Sequence, residues 1–286
     1  MAGLTALVKG HGAGNDFLLA ADPTGTLDPD PVTVAAWCDR RHGIGADGLL
    51  LAVPASTAGI PTAAEWFMDH RAADGSVGEP CGHGLGVFVA FLRHTGLADL
   101  SDGASVLVAT RAGDRRVWVN GEEYTAEIGD FAIPGGLDAA TRGFDVAVKL
   151  PGLERRPGLR VDVGSPHVVV ALDSPATLAA LTLTGARYDP DPPAGTSLDV
   201  VVPLGELPDG RGSLRLRAHG PDGGEDRTCA TACGAAAVAV REWAGAGAPD
   251  EWVIEAPGGT FGVRIDGRRV LVTGPAVLVA ELSPLA

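Results

Sequence analysis

Two cysteines stand at positions suited to chemistry. Cys81 lies in Glu79-Pro80-Cys81-Gly82-His83-Gly84, and Cys229 in Asp226-Arg227-Thr228-Cys229-Ala230-Thr231-Ala232-Cys233-Gly234. Each marks the point where a turn of polar and small residues gives way to an apolar run, Leu85 to Arg93 in the first case and Ala235 to Trp243 in the second. Both runs are predicted helices, so each thiol falls at a helix N-terminus. Unpaired backbone N–H groups and the positive dipole end favour a thiolate there and can also hold an anion. Two equivalent elements suit removal of a proton from one face of a carbon and delivery to the other, which is stereoinversion. A single nucleophile would need one such element plus a base, and a dithiol oxidoreductase would carry C-x-x-C, which is absent.

An amino-acid α-proton is far less acidic than a thiol. Helix N-terminal amides on the carboxylate and exclusion of water must then stabilise the carbanion. Nothing marks a Schiff-base lysine: Lys9 and Lys149 are the only two, and neither adjoins a phosphate-cradling loop. No cofactor is expected. No metal is expected either, because Cys229 and Cys233 form a C-x₃-C pair that no second close Cys or His pair completes.

Bulk properties narrow the class. The 286 residues suggest two domains, and 45% hydrophobic with 20% charged residues is ordinary for a folded protein. A formal charge of −14 excludes a nucleic-acid partner, which needs a basic face. The N-terminus lacks a signal-peptide pattern, and no apolar stretch of about 18 residues predicts a membrane span. The expectation is a cytoplasmic enzyme acting on a small molecule, with Cys38, Cys81, Cys229 and Cys233 as thiols. A homodimer is one assembly compatible with this.

The elements that must position the cysteines are mostly strands. Those predicted in the first half are Leu4–Lys9, Leu18–Ala21, Leu49–Val53, Ala64–Asp69, Ser105–Arg111, Arg115–Val119 and Tyr124–Ile128. A helix from Asp30 to Arg41 turns Val32, Val34, Ala35 and Trp37 inward, with Cys38 as a small core residue. His11 to Phe17 reads as a turn, where Gly12 and Gly14 let the backbone pass close to a neighbour and Asn15 offers a donor and an acceptor. Pro134-Gly135-Gly136 and the polar stretch after it mark a passage into the second half. There Leu159–Val163, Val168–Leu172, Leu198–Val202, Leu214–Ala218, Trp252–Glu255, Phe261–Ile265, Val270–Thr273 and Val277–Leu282 are strands, with a short helix from Pro175. Each half is many strands around one principal helix that carries a cysteine. The class is α+β, with antiparallel sheet wrapped on helices.

Several stretches together give the chain a resemblance: Lys9-Gly10-His11-Gly12-Ala13-Gly14-Asn15-Asp16-Phe17, Cys38 to Gly48, Ala73-Asp74-Gly75-Ser76, Cys81-Gly82-x-Gly84, Pro166-His167, Cys229-x-Thr231, Pro257-Gly258-Gly259 and Thr273-Gly274-Pro275-Ala276. Along nearly its whole length the chain resembles the diaminopimelate epimerase family of two-cysteine racemases that work without pyridoxal phosphate. The resemblance implies two pseudo-symmetric domains, each a β-barrel-like sheet around a central helix. Residues 1–125 would form the domain carrying Cys81 and 126–273 the domain carrying Cys229, with 274–286 returning to the first. It implies that Cys81 and Cys229 are the acid/base pair in a cleft that closes on substrate. Asn15, the backbone of Gly82 and Gly84, and Ala230 and Thr231 beside Cys229 would bind substrate, with His167 next to a catalytic thiol.

The departures are informative. Ala72, Ser165 and Ser197 stand where the epimerases have asparagine, and Gly220-Pro221-Asp222 replaces the Glu-Arg-Gly that helps hold the distal end of diaminopimelate. The Cys-Gly-Thr-Gly turn has become Cys229-Ala230-Thr231-Ala232. Buried partners left unpaired cost about 1–3 kcal/mol each, which predicts poor affinity for diaminopimelate. His83 and Asp226 lean toward the related proline racemases, where the matching aspartate sits near the reacting amine. The expected function is cofactor-independent inversion of another α-amino acid. Family members of this kind include the O-ureidoserine racemase of D-cycloserine biosynthesis, and the neutral tail of O-ureidoserine suits a pocket without the arginine. The alternatives are diaminopimelate epimerase itself and, from another class, a non-catalytic amino-acid-binding or thiol-redox protein.

Overall fold

Strands with apolar residues at successive positions must be covered on both faces. Phe17-Leu18-Leu19-Ala20, Leu49 to Val53, Val168 to Leu172 and Leu198 to Val202 are of this kind, and in a computed structural model of the chain each lies between two layers. The structure describes residues 6–12, 14–78, 82–221, 223–226 and 229–283. The chain forms two compact units, Met1–Ala126 with Gly274–Ala286, and Glu127–Thr273.

In chain order the first unit contains β1 (Leu7–Gly12), β2 (Asn15–Ala21), α1 (Pro31–Cys38), β3 (Gly48–Pro54), β4 (Trp66–Ala72), α2 (Gly82–His94), β5 (Ser105–Thr110), β6 (Gly113–Asn120) and the first half of β7 (Glu123–Asp130). The second contains α3 (Gly136–Arg142), β8 (Val146–Lys149), β9 (Arg156–Asp162), β10 (Pro166–Ala171), α4 (Pro175–Ala180), β11 (Arg187–Asp189), β12 (Ser197–Glu206), β13 (Gly212–His219), β14 (Glu225–Asp226), α5 (Ala230–Ala244), β15 (Glu251–Ala256), β16 (Gly259–Asp266) and most of β17 (Arg269–Pro275). The last strand, β18 (Val277–Leu282), belongs to the first unit and pairs with β1.

The units repeat one topology. In the first, the spatial order β18-β1-β2-β3-β4-β5-β6-β7 runs antiparallel, antiparallel, parallel, antiparallel, parallel, antiparallel, antiparallel. The order β8-β9-β10-β12-β13-β15-β16-β17 in the second has the same succession of senses. Each sheet curls round its long helix, giving two pseudo-symmetric barrel-like halves. Residues Leu85 to Leu92 of α2 are buried on every side, as are Ala232 to Val240 of α5. The small residues of α5 let its sheet close: a Cβ at Gly234 would lie 2.8 Å from Ile128 Cδ1 and 2.9 Å from Val270 Cγ1. Short helices cover the outer faces, and both start alike. Asp30 and Ser174 cap α1 and α4 by accepting from the N–H groups of Thr33 and Thr177, with proline at the first helical position.

Three details depart from the sequence reading. The strands on either side of the His11 to Phe17 turn are longer than predicted: β1 and β2 run on to Gly12 and Asn15, with Gly12 facing Asn15 across a tight hairpin. The helix at α1 is shorter than predicted, and Val32 is 78% exposed because it falls on the outer side of the first turn. Short β8, β11 and β14 and the helix α3 carry too few residues to show a period. Gly12 does come close to a neighbour, and that neighbour is α2: an added Cβ would meet His83 Cβ at 3.1 Å.

Candidate active site

Cys229 is the N-cap residue of α5. Its backbone is extended (φ −93°, ψ 116°), and its carbonyl accepts the Cys233 N–H at 3.0 Å, closing the first turn. Its side chain makes no capping hydrogen bond to the first helical amides, so the sulfur stands at the helix start without serving as the cap. It is half-buried, and the Thr231 hydroxyl lies 3.0 Å from it. Ala230 is buried in the first turn, and Cys233, one turn further on, is fully buried as a packing residue. Cys81 lies outside the described residues.

The elements around Cys229 come together by strand register. His167 on β10 pairs with Ser197 on β12, Leu198 with His219 on β13, and His219 with Glu225 on β14. The starts of β10 and β12, the end of β13 and the start of α5 thus share one end of the second unit. Asp226 is placed by the backbone of β14 opposite Ala218. On β10 and β12 the outward residues Val168, Val170, Leu198, Val200 and Val202 join the cluster beneath Leu178 of α4. By alternation, His167 and Asp199 face inward, toward α5.

His167 is 1% exposed. Its Nδ1 lies 2.8 Å from Asp199 Oδ2, and its Nε2 lies 3.0 Å from the hydroxyl of half-buried Ser165. Both ring nitrogens are engaged by protein, so the group this line presents outward is the Ser165 hydroxyl. Asp199 is an element of the arrangement that sequence reading missed. The signal was there as a lone acid inside the apolar run Leu198 to Val202, where a charge is tolerated only with a partner.

In the first unit, Asn15 opens β2 and is half-buried at the hairpin tip. Gly82 begins α2, with His83 and Gly84 following in its first turn and both buried. The hairpin is strapped to the loop after α1 by charges. Arg40 donates to both Asp16 oxygens at 3.1 and 2.7 Å and to Asp47 at 2.6 Å, while Lys9 binds Asp16 and the Gly45 carbonyl. Burial pushes the Asp16 carboxyl up, but the Arg40 and Lys9 hydrogen bonds outweigh it and hold the group well below the usual carboxylate range. Burial, with the charges of Asp16 and Asp47 adding to it, pushes the Cys38 thiol up to about 11. That makes Cys38 an unreactive core thiol.

Ahead of Cys229, the Gly220 N–H donates to the Gly224 carbonyl at 2.9 Å. The nearby Arg217 is committed elsewhere. It grips Glu225 at 2.7 and 2.8 Å and donates to the carbonyls of Leu178 and Leu181 at 2.6 and 2.8 Å. Two cavities in the second unit, of about 540 and 380 Å³, are lined by Trp252 and Val240 and by Arg142 and Arg156 among others, and include none of these site residues. Among the described residues no three His, Cys, Asp or Glu side chains are grouped to hold a metal. No helix among them is long and apolar enough to cross a membrane.

Known proteins resemble the chain in sequence and in fold. The family model described as diaminopimelate epimerase matches residues 7–132. A diaminopimelate epimerase of Streptomyces coelicolor is 38% identical over 96% of this chain and 94% of its own length. Among solved structures, a Bacillus anthracis phenazine biosynthesis protein of the PhzF family superposes with a TM-score of 0.65 at 17% identity, covering 99% of both chains. An Agrobacterium vitis hydroxyproline epimerase with bound trans-4-hydroxy-L-proline gives 0.63 at 16% identity, over 97% of this chain and 91% of that one. These two establish the fold, and the sequence match over almost the full length of the Streptomyces protein decides the rest: the chain belongs to the diaminopimelate epimerase family of amino-acid racemases and epimerases, and is an isomerase.

Proposed function

We propose that the protein inverts the α-carbon of an amino acid other than diaminopimelate, without a cofactor, using Cys81 and Cys229 as a thiolate/thiol pair. The observation that carries the reading is Cys229 as the N-cap of a buried helix, with the Thr231 hydroxyl 3.0 Å from its sulfur. A helix start favours an anionic sulfur and holds a carboxylate through its amides. One sulfur takes the α-proton while the other gives a proton to the opposite face. The carbanion between these steps is stabilised by amides already aimed at the carboxylate.

The substrate reading rests on the distal end. Gly220-Pro221-Asp222 supplies no guanidinium, and Arg217 is held by Glu225 and two carbonyls. Ser165 and Ser197 in place of asparagines shorten the polar reach. A neutral hydrogen-bonding tail fits this better than a second charged amino-acid centre, and O-ureidoserine is the preferred candidate. The competing reading is diaminopimelate itself, favoured by the name of the 38% identical relative.

The test is α-proton exchange in D₂O with O-ureidoserine, LL-diaminopimelate and a panel of L-amino acids. Exchange of O-ureidoserine with kcat/KM at least tenfold above that of diaminopimelate is expected. The reverse ranking establishes the competing reading, and no exchange with any member removes the racemase proposal. Cys81→Ala and Cys229→Ala should each abolish racemisation; activity surviving in both would refute the two-base mechanism.

A further inference from the structure

Asp199 is fully buried in the stretch Leu198 to Val202, otherwise made of leucine and valine, and one of its oxygens, Oδ1, has no hydrogen-bond partner among the described residues. A buried carboxylate is costly, and a valine here would continue the core without that penalty. Its Oδ2 is 2.8 Å from Nδ1 of His167, itself 1% exposed, and the other ring nitrogen is 3.0 Å from Ser165 Oγ. Asp199 and His167 lie diagonally on adjacent parallel strands, since His167 pairs with Ser197 and Val169 with Asp199. Both face α5, which packs on β10 and β12. A carboxylate accepts, so the imidazole donates from Nδ1, which fixes its ring plane and leaves Nε2 for the Ser165 hydroxyl. Ser165 is the half-buried member of the three, at the start of β10 and at the end of the unit where α5 begins at Cys229.

We infer that Asp199 is a positioning residue for the isomerisation: through His167 it fixes the Ser165 hydroxyl, which touches the amino-acid substrate beside Cys229. The inference rests on the proposed racemase reading for its chemistry, while the dyad itself can be measured independently. Without Asp199 the ring is free to take the other tautomer and turn, and the hydroxyl loses its fixed partner. Loss of the carboxylate behind an orienting histidine is known to cost far more in turnover than in binding.

Kinetics and one spectroscopic signature test it together, on the full chain and with the panel amino acid that the parent protein exchanges fastest. Asp199→Asn and Ser165→Ala should each lower kcat at least tenfold with KM changed less than threefold, and Ser165→Thr, which keeps a hydroxyl, should recover at least half of the parental kcat. In long-range proton–nitrogen NMR spectra of the imidazoles, a downfield Nδ1–H signal from His167 should be present in the parent and in Ser165→Ala, and absent in Asp199→Asn. Should Asp199→Asn fail to fold, Ser165→Ala still decides, because its side chain is only half-buried. A kcat for Ser165→Ala within twofold of the parent overturns the inference, as does a missing Nδ1–H signal in the parent. If Cys229→Ala is dead while Ser165→Ala is fully active, this inference fails alone. If Cys81→Ala and Cys229→Ala both still racemise, the two-base mechanism of the proposed function is what fails, and the NMR signal continues to report on the dyad.

Discussion

Asp16 holds the β1–β2 hairpin of the first unit to the loop that follows α1. Its carboxyl meets Arg40 and Lys9, and its backbone N–H donates to Asp47 at 3.0 Å. The folded carboxyl is held below its ordinary value, so its stabilising contribution is fully present above the unfolded value of about 3.9. It is lost as the pH falls below that value toward the folded one. Arg40 is 56% exposed, which screens the pair and argues for a modest size. Asp16→Asn should therefore lower stability by about 1 kcal/mol at pH 7. Urea unfolding at pH 7 and pH 3 checks this: the gap from the parent should shrink at pH 3, and an equal gap at both would show that the charge is not what matters. Sequence reading passed over this cluster because Lys9, Asp16, Arg40 and Asp47 look like ordinary surface charges until the fold brings them together. The cysteines were legible for the opposite reason, since each announces itself locally by a small-residue turn running into an apolar helix.

At the scale of elements, strands buried on both faces wrote themselves into the sequence as unbroken apolar runs, and the two core helices as alanine- or valine-bearing segments with their starts marked. What local pattern does not reveal is close approach between elements distant in sequence. Gly75 is an example. In the stretch Ala73-Asp74-Gly75-Ser76 the Asp74 carboxylate accepts the Ser76 N–H at 2.9 Å, making the turn that composition predicts. Gly75 takes φ +83°, and a Cβ there would lie 2.3 Å from the carbonyl oxygen of Pro31 at the start of α1. The glycine is thus required twice, by a left-handed backbone and by contact with another element's backbone, which cannot give way as a side-chain end can. Gly75→Ala combines a left-handed penalty of about 1 kcal/mol with overpacking of about 1–3 kcal/mol, and should cost about 3 kcal/mol. A urea midpoint matching the parent would mean that α1 moves aside freely. The buried pair of His167 and Asp199 escaped sequence reading for the same reason, because the residues lie on strands separated in the chain by α4 and β11.

For the molecule as a whole, the repeat of strand senses in both units implies that each barrel needs eight strands, but the chain supplies them unequally. The second unit is continuous from Glu127 to Thr273, whereas the first lacks one strand until Gly274 onward returns to it. That strand, β18, pairs with β1 from Leu7 opposite Leu282 to His11 opposite Val277, with a register shift after Lys9. Ala276 joins the core around α2, and Leu278 packs against it. Gly10 allows the approach, since a Cβ there would be 2.9 Å from Leu278 Cδ2 and 3.0 Å from Val87 Cγ1. No spacing in the sequence says where β18 goes; its Val279 is 59% exposed, so its pattern reads as an ordinary terminal strand. Deleting residues 274–286 would leave β1 as an unpaired edge and uncover part of α2, while every strand of the second unit keeps its partners. Hydrogen exchange should then show the amides of β1, β2 and α2 exchanging at least tenfold faster, with those of β9, β10, β12 and α5 protected as in the full chain. Local opening of this kind is expected where a cooperative unit loses buried contacts and ladder bonds at once. Uniform protection after the deletion would show that the first barrel closes without β18. Uniform loss would show that the two units fold as one cooperative body.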